Sequence, residues 1–240
     1  MYCRVMTRGR GGGHVESFSV EPSFDHADAR AAIVFVDMSG YTALTEVHGD
    51  HVAAQFAVDF ADMATAALGI DDELIKTMGD AVMVASADAP AALAFLRRLG
   101  AAVGRADGFP MLRAGVSAGV VVKRGGDVYG TTVNAAARLA ALALPGQVVV
   151  CRDVAAFAGE VDLPIEALGL VSIRNMAEPM EFFAVDTAGG HKQHVDPVCR
   201  MHVNAASAAA TLSRDGRTYR FCSRACADRF DMRARGANEA

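Results

Sequence analysis

The chain has 240 residues, 52% of them apolar and 21% charged, with a formal net charge of −5; this excludes a disordered chain and suits one large domain, or a medium one with a small module. Aromatic residues make up 7% and Trp is absent, so Ala supplies much of the apolar count and closely packed helices are expected. No uncharged stretch exceeds 13 residues, the length of Leu139–Cys151, against the roughly 20 apolar residues a membrane helix needs, so no membrane partner is expected.

Residues 1–29 are Gly- and Arg-rich and then polar, and are read as a flexible leader; Arg4, Arg8 and Arg10 are followed by no apolar run, so no secretory signal is read and the expected location is cytoplasmic. Ala31–Val36 is a continuous apolar run of the buried-strand kind, ending at Asp37. Gly40–Leu68 has helical spacing, with Leu44, Val47, Val52, Phe56, Phe60, Met63 and Leu68 apolar. Glu73–Thr77 and Ala81–Ala85 read as strands joined at hairpin length by Met78-Gly79-Asp80. A helix over Ala89–Val103 and a long strand over Leu112–Val122 follow. Val128-Tyr129-Gly130 leads into a helix at Val133–Leu144, closed by Pro145-Gly146. Val148–Val150, a helix from Asp153, and strands near Leu170–Ile173 and Met180–Val185 complete the first domain, placed at 30–187; 188–193 reads as a linker.

The order strand, helix, strand, strand, helix, strand is the split βαβ arrangement. The expected fold class is therefore α+β, a ferredoxin-like βαββαβ core with a small C-terminal αβ module. In that topology the third strand lies between the first two and antiparallel to the first. The turn at Asp80 then sits beside the end of the first strand at Asp37, where two carboxylates can share divalent cations, which prefer hard oxygen ligands. Met38-Ser39-Gly40-Tyr41-Thr42 opens the next helix, whose free N–H groups and dipole suit a polyphosphate.

Phe35-Val36-Asp37-Met38-Ser39-Gly40-Tyr41-Thr42, Ile75-Lys76-Thr77-Met78-Gly79-Asp80-Ala81 and Asp127–Arg138 (Asp-Val-Tyr-Gly-Thr-Thr-Val-Asn-Ala-Ala-Ala-Arg) together resemble the class III adenylate/guanylate cyclase catalytic domain, in its order and spacing, over roughly Ala31–Asp186. The resemblance implies that Asp37, Asp80 and the Met38 carbonyl hold two Mg²⁺ or Mn²⁺ ions, that Ser39, Gly40, Tyr41 and Thr42 face the phosphates, that Arg138 neutralises charge on the reacting phosphorus, and that Asn134 orients the ribose. It makes Lys76 and Asp127 the base readers: a Lys donor and an Asp acceptor match adenine N1 and N6 and mismatch guanine, so ATP is the expected substrate and cyclic AMP the product. Arg174, in Ile173-Arg174-Asn175-Met176, is the candidate triphosphate cation, although Asn175 stands where the family has Gly. Because the family assembles each site from two chains, a homodimer is implied. Each residue also has a plainer reading: Lys76 and Arg138 as solvated charges, Asn134 as a helix-start residue, Gly79-Asp80 as an ordinary turn. Those separate readings leave the joint spacing unexplained.

Residues 191–240 hold nine Lys/Arg against five Asp/Glu, net +4, while residues 1–190 hold 14 against 23, net −9. Three of the five cysteines, Cys199, Cys222 and Cys226, fall in that basic piece, and a cytosolic cluster of this kind points to metal or redox chemistry. Asp196-Pro197-Val198-Cys199-Arg200-Met201 and Tyr219–Cys226 (Tyr-Arg-Phe-Cys-Ser-Arg-Ala-Cys) resemble a YHS domain, a small metal-associated module placed at 194–235. Cys222 and Cys226 are four apart, hence on one helix face, with Cys199 offered from a hairpin; thiolates suit Zn²⁺ or another soft ion such as Cu⁺, and His194 or His202 is the candidate fourth ligand. Arg200 replaces the usual Gly, and the family's Pro/Tyr pattern is missing after Phe230. The basic residues form no run, so no nucleic-acid partner is expected. Two other readings stand beside the enzyme: a cyclase-fold nucleotide-binding regulator with negligible turnover, and a metal-sensing protein in which the tail is primary. Any regulation is expected from a soluble signal or an unknown partner protein.

Overall fold

The computed structural model describes residues 27–106, 108–160, 163–171, 179–186, 194–206 and 208–236. In chain order the elements are β1 (Ala27–Met38), α1 (Tyr41–His48), α2 (Asp50–Ala67), β2 (Asp72–Met78), β3 (Ala81–Ser86), α3 (Ala89–Arg105), β4 (Leu112–Arg124), β5 (Asp127–Tyr129), α4 (Thr131–Leu142), β6 (Val148–Cys151), α5 (Arg152–Glu160), β7 (Ile165–Val171), β8 (Met180–Val185), β9 (His194–Val195), β10 (His202–Val203), β11 (Ala210–Arg214), β12 (Arg217–Phe221) and α6 (Arg224–Gly236). The main sheet runs β2-β3-β1-β4-β6-β8-β7, with β5 on the far end of β4. Its first four strands have the expected ferredoxin-like order, with β3 between β2 and β1 and antiparallel to both.

The apolar run of β1 is continuous because both faces of the strand are covered. Ala32, Val34, Val36 and Met38 join the core under α2, α3 and α5, while Ala31 and Ile33 join a second core with Ala136 and partly buried Val133 of α4. Gly115 lets α4 lie on the sheet: a Cβ there would sit 2.1 Å from Ala140 N and 2.3 Å from Ala136 O. α3 starts at Asp88, whose carboxylate accepts the Ala91 N–H at 2.9 Å, with Pro in the first turn.

Several expected boundaries move. β1 begins at Ala27, not Ala31, because the long β4 ladder pairs with it as far as Lys123 and draws in the last three residues of the expected leader. The single helix expected over Gly40–Leu68 is two, broken at Gly49, whose backbone (φ 86, ψ 162) belongs to neither. α4 starts two residues early, after Gly130, and stops at Leu142, since Ala143 is already extended ahead of Leu144-Pro145. β7 begins at Ile165; it is an edge strand with a bulge between Ala167 and Gly169, and its exposed side chains thin the apolar signal. Cys222 lies two residues before α6 rather than on it. The expected linker and Arg174 lie outside the described residues.

The C-terminal module consists of two small hairpins, β9-β10 and β11-β12, and α6. It shares a core with the first domain, where Val198, Cys199, Phe221, Cys226 and Ala227 pack with Leu44 of α1 and Ala53 of α2. Among the described residues no helix is long and apolar enough to cross a membrane.

Candidate functional site

The β1–β3 register sets Asp37 opposite Ala81, and the Met38 N–H donates to the Asp80 carbonyl at 3.0 Å. Asp80 occupies a two-residue turn whose first residue, Gly79, has φ 67, a conformation favouring glycine. Burial pushes the Asp80 carboxyl above its usual range, and the neighbouring Asp37 charge adds to the rise. Two carboxylates 43 residues apart in sequence are thus held together. Asp37 Oδ2 also accepts from Arg113 Nε at 2.6 Å and Nη2 at 2.5 Å. Arg113 lies across from Asp37 on β4. The sequence reading missed it, because only the β1–β4 register marks that position.

Ser39 is buried, its N–H donating to Met111 O at 2.7 Å, while its Oγ has no hydrogen-bond partner. Gly40, at φ 80, caps α1 without a side-chain bond, and the first turn carries no acidic residue. The first N–H groups of α1 are therefore left to an external acceptor. Tyr41 sits close enough that burial, then the charges of Asp80 and Asp50, raise its phenol pKa. Met38 is buried and Thr42 exposed.

Lys76 on β2 and Asp127 on β5 meet as an ion pair at 2.6 Å, although 51 residues separate them. The end of β4 curls towards β2, as Lys123 on Glu73 at 3.1 Å also shows. The Lys76 hydrogen bond, then the Val128 N–H on the other oxygen at 2.8 Å, hold the Asp127 carboxyl below its usual range. Asn134 and Arg138 are both exposed, four apart on α4. Among the described residues no hydrogen bond or ion pair joins them to Asp37 or Asp80. Asp37 faces Arg113 near the start of β4 and Asp127 faces Arg124 at its end.

Residues 25–187 match the model of the adenylate and guanylate cyclase catalytic domain, and residues 194–235 match that of the YHS domain. The chain belongs to the adenylate/guanylate cyclase catalytic domain family. It is 36% identical over 125 residues to a pH-sensitive adenylate cyclase of Mycobacterium tuberculosis, covering 52% of this chain and 32% of that protein. It is 39% identical over 128 residues to an adenylate cyclase of Streptomyces coelicolor, covering 51% and 32%. The chain thus spans about a third of the length of these curated relatives. Among solved structures, an adenylate/guanylate cyclase/hydrolase from Silicibacter pomeroyi superposes with a TM-score of 0.59 at 25% identity, covering 67% of this chain and 98% of that one. The adenylyl cyclase CyaB from P. aeruginosa shares the fold, with a TM-score of 0.58 at 17% identity over 68% and 96%.

In the YHS domain, buried Asp196 ties the cysteine loops together. Its Oδ1 accepts the N–H groups of Val198 (2.8 Å) and Cys199 (3.3 Å), and its Oδ2 that of Cys222 (2.9 Å). Cys199, in the β9–β10 turn, Cys222 and Cys226 are free thiols, with Sγ–Sγ distances of 3.4 Å for Cys199–Cys222 and 3.7 Å for Cys222–Cys226. The hydrogen bond to Cys222 pushes the Cys199 thiol up, while those from Cys199 and then Cys222 pull the Cys226 thiol down. The imidazole beside them is neither expected one. His194 bonds Arg220 at 3.2 Å, and His202 is turned to a buried spot where its Nδ1 has no partner. Instead His48, at the end of α1 in the cyclase domain, brings Nε2 to 3.5 Å from Cys222 Sγ and 3.9 Å from Cys226 Sγ. Arg200 has φ 64, which accounts for Gly at that place in the YHS pattern.

Proposed function

We propose that the chain is an adenylate cyclase, converting ATP to 3′,5′-cyclic AMP and pyrophosphate at two composite sites of a homodimer. The observation that carries this reading is the meeting of Asp37 with Asp80 at the turn beside the uncapped start of α1. The adenylate cyclases similar over the same region support it.

The residues at that turn fit a hard divalent cation. Two adjoining carboxylates, one with its pKa raised, and an unpartnered buried hydroxyl on Ser39 make an oxygen-rich set whose two negative charges the single Arg113 guanidinium only half offsets. Asp37, Asp80 and the Met38 carbonyl would hold two Mg²⁺ or Mn²⁺, which supply acidification of the ribose 3′-hydroxyl and charge neutralisation at the triphosphate. Arg113 keeps one Asp37 oxygen occupied and so aims the carboxylate. The open N–H groups at Gly40–Thr42 receive phosphate oxygens. Lys76 donates to adenine N1, and Asp127 accepts from N6. Guanine would set a donor against Lys76 and an acceptor against Asp127, leaving both unpaired. Asn134 orients the ribose, and Arg138 stabilises charge developing on phosphorus. Val120 and Tyr129, half exposed near the start of α4, are apolar surface that a second copy would cover. Arg174 stays the candidate triphosphate cation, and the three YHS thiolates hold a soft metal.

Cyclic AMP formation from ATP with Mn²⁺, lost in Asp80→Ala and weak with GTP, is the expected result. An Asp80→Ala chain mixed with an Asn134→Ala chain regains activity at one site of the mixed dimer. Inactive singles that stay inactive when mixed overturn the composite site; no product from the folded wild-type chain overturns the enzyme.

A further inference from the structure

We propose that His48 of the cyclase domain and Cys199, Cys222 and Cys226 of the YHS domain form one tetrahedral site for a borderline-soft divalent cation of the Zn²⁺ type, which clamps the two domains together across α1. The site is independent of the cyclase reading and rests on the reading of the three YHS thiolates as soft-metal ligands, to which it adds His48 and the clamp between domains.

The four ligand atoms lie within 4.8 Å of one another. A tetrahedral Zn²⁺ with bonds of about 2.3 Å to sulfur and about 2.0–2.1 Å to nitrogen sets its ligands about 3.8 Å apart for two sulfurs and about 3.5 Å for sulfur and nitrogen. The sulfurs stand 3.4 and 3.7 Å apart, and His48 Nε2 stands 3.5 and 3.9 Å from two of them. A disulfide would need about 2.05 Å. Three sulfurs and one imidazole nitrogen complete a closed structural set, with no open position for a reacting water.

The surroundings are built to hold that geometry. Asp196, fully buried, fixes both cysteine loops through three N–H groups. Cys199 and Cys226 are fully buried, in the core that includes Leu44 of α1. Arg229 of α6 pairs with Glu46 of α1 beside them.

The site grips α1 at both ends. His48 is its last residue, and Gly40, its N-cap, packs against the Cys199 carbonyl and the Arg200 side chain, where an added Cβ would meet Arg200 Cγ at 2.8 Å and Cys199 O at 3.1 Å. The neighbouring chain is stitched as well, with Met111 N–H donating to Arg200 O (3.0 Å) and Ser39 N–H to Met111 O (2.7 Å). Metal occupancy therefore reaches the Ser39–Thr42 segment through one short helix and one turn.

The test uses the full chain, purified without an affinity histidine tag under reducing, oxygen-free conditions and titrated with Co²⁺ as an optical probe. One Co²⁺ per chain with the intense visible bands of a tetrahedral site and thiolate charge transfer is expected. His48→Asn should weaken binding tenfold or more and alter the visible bands, whereas His194→Ala and His202→Ala leave them unchanged. X-ray absorption of the Zn²⁺-loaded wild type should read three sulfurs and one nitrogen, which needs no folded variant. Hydrogen exchange in 41–48 should slow on loading and remain fast in His48→Asn. An unchanged spectrum and affinity in His48→Asn overturns the proposal, as does a metal-free chain with a Cys199–Cys222 disulfide. Because no nucleotide is present, failure here leaves the cyclase reading standing, and a chain inactive with ATP leaves this site standing.

Discussion

Gly115 is where the β4 strand touches α4, and Gly115→Ala tests whether that contact positions Asn134 and Arg138. The added methyl would lie 2.1 Å from Ala140 N, 2.3 Å from Ala136 O and 2.7 Å from Leu139 C, where ordinary contact begins near 3.4 Å. All three are backbone atoms of α4, so no side chain can swing aside and the helix must retreat by about 1 Å or more. Overpacking of this kind costs about 1–3 kcal/mol. At this chain length that lowers the melting temperature by roughly 2–4 °C per kcal/mol. A displacement of about 1 Å in Asn134 and Arg138, proposed above to act on the ribose and the phosphorus, is expected to reduce turnover about 100-fold. Gly100→Ala is the matched control: it lies inside α3 with nothing within 4 Å of the new methyl, and should stabilise by up to about 1 kcal/mol with activity kept. The assay pairs thermal unfolding with cyclic AMP formation on all three proteins. A Gly115→Ala chain with wild-type melting temperature and turnover would refute the reasoning.

Exchanging Lys76→Asp with Asp127→Lys keeps an ion pair but reverses donor and acceptor; kcat/KM for ATP should fall 100-fold or more, while stability changes by less than about 1 kcal/mol because a pair this exposed adds little. Equal kcat/KM in the exchanged chain would remove these two residues from base recognition. Burial holds His202 below its ordinary pKa of 6.5, so the folded chain binds this proton less tightly than the unfolded one. That stability is complete above the unfolded pKa and is lost as pH falls through it. Urea midpoints between pH 8 and 5, measured with chelator present, should fall towards acid in the wild type and fall less in His202→Leu, which also removes the unpartnered Nδ1; parallel curves would clear His202 of the effect.

The core of the fold was legible because it depends on periodicity and order. A run buried on both faces, a connection of hairpin length at Met78-Gly79-Asp80 and two amphipathic helices allow few arrangements, and the ferredoxin-like one puts Asp37 next to Asp80 before any coordinate is known. Lys76 and Asp127 were legible only through the resemblance: their meeting depends on how far β4 coils, and strand twist leaves no mark on residue order. The breaks at Gly49 and Ala143 were hidden for another reason. Apolar spacing continues across both, while the backbone changes direction at a single residue.

Arg113 and His48 escaped for a common reason, which says where the sequence is silent. Each acts on a partner brought to it by tertiary packing, Arg113 by strand register and His48 by the seating of one domain on another. Three thiols call for a fourth ligand, and His194 and His202 were the natural candidates because they lie within eight residues of Cys199. Proximity in sequence favours ligands from one module, since short loops close at little entropic cost. Once the YHS domain shares a core with α1, that cost has already been met by apolar packing, and an imidazole 151 residues before Cys199 becomes as close as any neighbour. A ligand recruited that way does what a local one cannot: it makes metal binding depend on how the two domains sit, and the seating of α1 depend on metal.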